Sequence, residues 1–201
     1  MIYAHHLFLN DVEVKNLVIP DSITAINSYA FTGCWFTSVT IPNSITDLGS
    51  MIFKDCSKLT SVNWNIKSCK DFEYSGAPFA GLTNIKTFKF GDEVEYIPAY
   101  LCCELTGLTS INIPNSVTTI GKAAFYGCSN IPSMTIPSSI TAISSSAFGN
   151  CTSLREVHTP DLAVWGGIKF TNASANCVCP PAPARTTSPR SNGRTSPISL
   201  K

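Results

Sequence analysis

Charge is scarce in this chain. Asp, Glu, Lys and Arg make up 13% of its 201 residues, about half the usual quarter, and the formal net charge is +1. No run of Lys and Arg builds a basic face, which excludes nucleic acid as a partner. No apolar run reaches the roughly 18 residues of a membrane helix, so membrane insertion is excluded as well. Met1-Ile-Tyr-Ala-His-His lacks the basic start and apolar stretch of a secretory leader. The expectation is that export relies on an upstream part or does not occur for this fragment alone. Histidine occurs three times, and no Ser-His-Asp, Cys-His or paired-carboxylate set can be nominated. A glycine-rich phosphate loop is missing too. These gaps point to a protein that is not an enzyme, with no catalytic residues and no cofactor.

What the chain has is a repeat. Ile113-Pro-Asn-Ser-Val-Thr-Thr-Ile-Gly-Lys-Ala-Ala-Phe-Tyr-Gly-Cys128 returns as Ile136-Pro-Ser-Ser-Ile-Thr-Ala-Ile-Ser-Ser-Ser-Ala-Phe-Gly-Asn-Cys151, and the frame also fits Ile19 to Cys34 and Ile41 to Cys56. Turn starts at Ile19, Ile41, Trp64, Phe90, Ile113, Ile136 and Thr159 are spaced 22, 23, 26, 23, 23 and 23 residues apart. A unit this small cannot bury its own apolar face, so the period implies a solenoid with one continuous core. Apolar residues, at 44%, supply that core.

The segment leading into each turn alternates, as in Val62-Asn-Trp64, Phe88-Lys-Phe90 and Ile111-Asn-Ile113. Period 2 is the signature of a strand with one buried face, and stacking one per turn gives a parallel sheet. Proline then ends the strand, because it has no N–H for the ladder. A second short extended piece should point Ile23 and Ile26, Ile45 and Leu48, Val117 and Ile120, and Ile140 and Ile143 inward. The Ala-Phe-x-x-Cys segment should cross back as a loop or short helix. Its columns read Phe31, Phe53, Phe79, Leu101, Phe125, Phe148 and, three residues on, Cys34, Cys56, Leu82, Glu104, Cys128, Cys151. Asn65 to Pro78 carries a three-residue insertion and is expected to bulge as a loop.

Cysteine in one column suits free-thiol packing, since Cys is small and readily buried. Adjacent turns lie within disulfide reach, so Cys34–Cys56 or Cys128–Cys151 could pair if oxidised. A line of ligands is not a tetrahedron, so no metal site is assigned. Cys102 and Cys103 are adjacent, and adjacent cysteines rarely bond each other; Cys177-Val-Cys179 is a weak metal signal, and His5-His6 do not converge because neighbours on a strand point to opposite faces. His158 is solitary. Asn150-Cys-Thr and Asn172-Ala-Ser match the glycosylation sequon, a common chance event in so polar a chain.

The frame x-Leu-x-x-Val-x-Ile-Pro-x-Ser-Val-x-x-Ile-x-x-x-Ala-Phe-x-x-Cys, over about residues 17–159, resembles the BspA-like leucine-rich repeat. That resemblance implies a β-rich leucine-rich repeat solenoid of about six turns, an arc or horseshoe with loops or short helices opposite the sheet. It also implies a module of a larger exported, cell-surface and often adhesive protein, without catalytic residues. Residues 161–176 resemble the separator between repeat blocks in longer members, and residues 3–18 resemble the segment just after such a separator. The organisation expected is an edge or cap at 1–18, the solenoid at 19–159, a separator or cap at 160–176, and a disordered tail at 177–201. Residues 1–176 carry 10 Lys and Arg against 13 Asp and Glu, whereas the Pro-, Ser- and Arg-rich tail adds four cations and no anion. Both an off-frame reading of the gene and a true linker would account for it.

The alternation also names the outward row of the sheet: Ser38, Thr40, Ser61, Asn63, Thr87, Lys89, Ser110, Asn112, Ser133, Thr135, Glu156 and His158. Thr60, Lys86, Thr109 and Arg155 flank it. A hydroxyl-rich face with cations at Lys86, Lys89 and Arg155 suits an extended polar contact with a protein of a host or microbial surface or matrix. Ser and Thr are equally the polar filler of a β-surface, so a structural spacer is the alternative. Glycans rank third. Trp64 sits in a core column, and Trp35 and Trp165 belong to no row that could stack on sugar rings.

Overall fold

The computed structural model describes residues 6–159 and the backbone of a strand at Lys169–Phe170. His5, Trp165, Asn172, Cys177, Cys179 and the tail expected from 177 lie outside the described residues, as does most of the separator. The chain coils into a β-solenoid of about six turns with three faces.

A hairpin of β1 (Phe8–Leu9) and β2 (Val12–Glu13) precedes the first coil. The first face then stacks β3 (Asn16–Val18), β5 (Ser38–Ile41), β7 (Ser61–Trp64) and β8 (Thr87–Phe90) in parallel. A single bridge from Lys89 to Asn112 carries the pairing on, and β11 (Ser133–Thr135) pairs with β13 (Glu156–His158) beyond it. Pro132, which has no N–H to give, stands at the entry to β11, where the sheet is interrupted. Alternation is kept throughout: Val39, Ile41, Val62, Trp64, Phe88 and Phe90 are buried, and the residues between them face out.

The second face carries two-residue strands just past the corners that end the first-face strands. They are β4 (Ala25–Ile26) on β6 (Asp47–Leu48), and then β9 (Tyr96–Ile97), β10 (Thr119–Ile120), β12 (Ala142–Ile143) and β14 (Lys169–Phe170). Of the residues expected to point inward here, Ile23 instead lies exposed at the first coil, where no earlier coil covers it.

The third face is a loop, and its backbone is regular. In the first coil, alternate N–H groups donate to the next coil: Tyr29 to Ser50, Phe31 to Ile52 and Gly33 to Lys54, at 3.0, 2.9 and 2.8 Å. Tyr100, Cys102 and Glu104 repeat this toward Lys122, Ala124 and Tyr126. Left-handed residues stand at both ends of each triplet, as at Tyr100 and Glu104 (φ 59° each) and at Ala123 and Gly127 (φ 52° and 73°). Among the described residues the one helix is a short 3-10 turn, Tyr74–Gly76, within the insertion. That insertion is docked rather than loose. Ile66 and Phe72 are buried, with Phe72 edge-on to Trp64 at 6.5 Å. Asp71 Oδ1 accepts from the Ala99 N–H at 2.8 Å and from the Tyr96 hydroxyl.

Two columns need correction. The ladder places Cys102, not Leu101, level with Phe125, and Leu105, not Glu104, level with Cys128. The aromatic column is a near-parallel stack, Phe31–Phe53–Phe79 at 5.5 and 5.1 Å and Phe125–Phe148 at 5.6 Å. Cys102 leaves a gap in it, and Phe90 leans in beside Phe125 at 6.3 Å.

Candidate binding surface

The outward row comes directly from strand register. Asn16, Ser38, Ser61 and Thr87 stand side by side, as do Val18, Thr40, Asn63 and Lys89, with Asn112 bridged to Lys89. Ser133 lies beside Glu156, and Thr135 beside His158. The structure therefore brings these predicted residues onto one face, divided between the β3–β8 sheet and the β11–β13 pair, with Lys86, Lys89, Ser110, Asn112, Thr135, Arg155, Glu156 and His158 exposed and Ser38, Thr40, Ser61, Asn63, Thr87 and Ser133 half-buried between neighbouring rows. Some of the row is occupied internally. Ser38 Oγ donates to Asn16 Oδ1 at 2.7 Å, and Asn63 Nδ2 donates to Thr40 Oγ1 at 3.0 Å. Arg155 Nη1 donates to the Thr152 carbonyl at 3.3 Å, and His158 sits 3.2 Å from Glu156. Lys86 and Lys89 remain the prominent cations of the central rows.

A cleft of about 330 Å³ opens where the strands end, between Val18, Thr40, Pro42, Asn65 and Gly91, and Asp21, Asp92 and Glu93 make its rim acidic. Asn43 Nδ2 donates to Glu93 Oε2 at 3.0 Å across it. Charge around β8 is thus separated: Lys86 and Lys89 lie in the row, and Asp92 and Glu93 at the corner that follows Phe90.

The cysteine column behaves as packing. Cys56, Cys102, Cys128 and Cys151 are buried free thiols, and Cys34 is half-buried. Sγ of Cys56, Cys128 and Cys151 donates to the carbonyls of Phe31, Cys102 and Phe125 in the preceding coil, at 2.9, 3.1 and 3.1 Å. Burial pushes the Cys56 thiol up to about 12 and Cys151 to about 11. His6 hydrogen-bonds Glu13 at 2.5 Å and lies edge-on to Trp35. Among the described residues, no three His, Cys, Asp or Glu side chains are grouped to hold a metal ion.

Sequence reasoning missed a recess of about 340 Å³ on the turn face, lined by Tyr74, Tyr100, Tyr126, Glu104 and Lys122. Tyr100, Tyr126 and Lys122 fall in unrelated repeat columns, and Tyr74 belongs to the insertion.

Stacked parallel strands, one buried apolar ladder per turn and a 22–26-residue pitch define a leucine-rich repeat protein. More narrowly, the chain belongs to the BspA type leucine rich repeat family, which it matches in six copies over residues 3–97 and 73–176. No curated protein matches it. It is similar to a leucine rich cell surface protein from Faecalibacterium prausnitzii A2-165, at 27% identity and a TM-score of 0.51, over 77% of this chain and 35% of that one. The T. pallidum leucine rich repeat protein is 20% identical with a TM-score of 0.60, over 79% and 73% of the two chains. A leucine-rich repeat protein from Eubacterium ventriosum is 23% identical with a TM-score of 0.57, over 74% and 40%. These last two likenesses speak for the fold alone. The chain spans about a third of the Faecalibacterium protein's length.

Proposed function

We propose that this chain is a non-enzymatic protein-interaction module of a microbial surface protein, and that it engages its partner through the outward rows of the first face. The observation that carries this is the alignment of those rows. Solvent-facing side chains repeat at coil spacing on a backbone held by ladders on three faces, so a partner meets a pre-organised surface and little ordering entropy opposes binding. Lys86 and Lys89 add a positive spot that favours an acidic stretch on the partner and speeds encounter. A cell-surface location is supported by the likeness to the Faecalibacterium cell surface protein.

One observation favours a spacer instead. Ser38 and Asn63 spend their donors on neighbours within the sheet, as polar filler would. Binding of the chain to an array of matrix and surface proteins separates the two. An interaction module captures at least one protein, and the Lys86→Glu/Lys89→Glu/Arg155→Glu variant, folded by circular dichroism, loses it. Silence from both folded proteins favours the spacer.

A further inference from the structure

The turn face holds a recess set apart from the strands of the first face. The insertion brings Tyr74 out on the 3-10 turn until its ring meets that of Tyr100, 5.9 Å away and inclined at 70°. Tyr74 is among the most exposed large side chains of the described chain, at 54%. Its hydroxyl donates to Glu104 Oε1 at 3.0 Å, and that carboxylate raises the phenol's pKa. Lys122 Nζ stands 5.7 Å from the Tyr100 ring centroid. On the far side, Asn150 Nδ2 donates to the Tyr126 hydroxyl at 2.5 Å, which leaves the phenolic proton to give. Two glycines make room for these groups. A Cβ on Gly149 would lie 2.8 Å from Tyr126 Cδ2, and one on Gly127 would lie 3.1 Å from Glu104 Cγ.

We infer that this recess binds a neutral pyranose ring of a glycan. Three features select that chemistry. Its volume, about 340 Å³, suits a ligand of one or two rings and not a protein surface. Its walls are tyrosine, whose electron-rich faces attract the polarised C–H groups on the flat side of a pyranose. Its polar groups are one carboxylate, one ammonium and phenols, so acceptor-only and donor-only partners stand together. An anionic ligand would meet Glu104 and a cationic one Lys122. A neutral ligand that both donates and accepts satisfies each, and hydroxyls do so with charge-assisted bonds. Ser146 adds a further hydroxyl at the rim.

Saturation-transfer NMR of the full chain against glucose, galactose, mannose and N-acetylglucosamine methyl glycosides, and their short oligomers, tests this. Transfer should appear on ring C–H protons of at least one glycoside. Its affinity should fall about tenfold or more in Tyr74→Ala, the cost of an exposed aromatic contact. Tyr74→Phe should retain most binding, whereas Glu104→Gln should weaken it. Lys86→Glu/Lys89→Glu should leave saccharide binding unchanged, so this site and the sheet fail separately. Tyr74 is solvent-exposed, and an unaltered melting profile of its variants establishes folding. No transfer from any saccharide at millimolar concentration, transfer indifferent to Tyr74→Ala, or capture of a protein through this recess would overturn the assignment.

Discussion

Cys128 donates its thiol hydrogen to the carbonyl of Cys102, 3.1 Å away in the coil before. The contact ties two adjacent coils through a group that is neutral and apolar enough for the core. Deprotonation would leave a thiolate facing a carbonyl oxygen, away from water. Burial raises Cys102 and Cys128, and it lifts Cys103 to about 11 and Cys56 to about 12.

These thiols set an alkaline limit on stability. An unfolded thiol ionises near pH 8.5, roughly, while these folded thiols keep their protons well above that. Above that pH the unfolded state binds fewer protons than the folded one, so stability is intact below it and lost as pH rises through about 11. Urea midpoints should fall between about pH 8 and about pH 10.5, and less steeply in Cys128→Ala or Cys56→Ala. At neutral pH the buried thiols should resist alkylation until the chain is unfolded, and half-buried Cys34 should react before them.

Phe53 is sandwiched between Phe31 and Phe79, edge-on to Phe36, and fully buried. Phe53→Ala should cost about 3–5 kcal/mol, because adjacent coils pinned by backbone ladders cannot collapse into the hole. Ser61→Ala, on the outward row, should stay within about 0.5 kcal/mol. Chemical denaturation of both variants gives the comparison.

Two glycines separate steric need from backbone strain. A Cβ on Gly49 would stand 2.1 Å from the Ser28 backbone nitrogen, so alanine there must push two coils apart. Gly81 has φ +77° and open space around it. Gly81→Ala should cost roughly 1–2 kcal/mol from the left-handed backbone alone, and Gly49→Ala should cost more, as a backbone clash with no side chain to give way. Equal melting temperatures for the two variants would contradict this origin of the coil spacing.

Much of the fold is legible in the residues. Ile-Pro starts and alternating strands specify the pitch, the parallel sheet and the outward row, because period 2 leaves a side chain no choice of face. Leu101 is misplaced by that pattern because Leu101-Cys102 stands in for Ala-Phe. No aromatic marks the register there, and the nearest large side chain stands out in its place. The third face is unreadable for a different reason. The leading left-handed position of each triplet is held by Tyr29, Met51, Tyr100, Ala123 or Ser146, none a residue that advertises positive φ, while Gly33, Gly127 and Asn150 mark the trailing one. The ladder between coils imposes that conformation. The tyrosine recess is hidden because Tyr74 reaches Tyr100 only once the insertion docks through Phe72 and Asp71.

Amide hydrogen exchange of the chain, with and without a protein captured from the array, tests most directly whether a partner lies along the first face. Added protection should concentrate in Ser38–Ile41, Ser61–Trp64 and Thr87–Phe90, and vanish with Lys86→Glu/Lys89→Glu. Protection confined to the turn face, or a complex indifferent to those two charges, would contradict it.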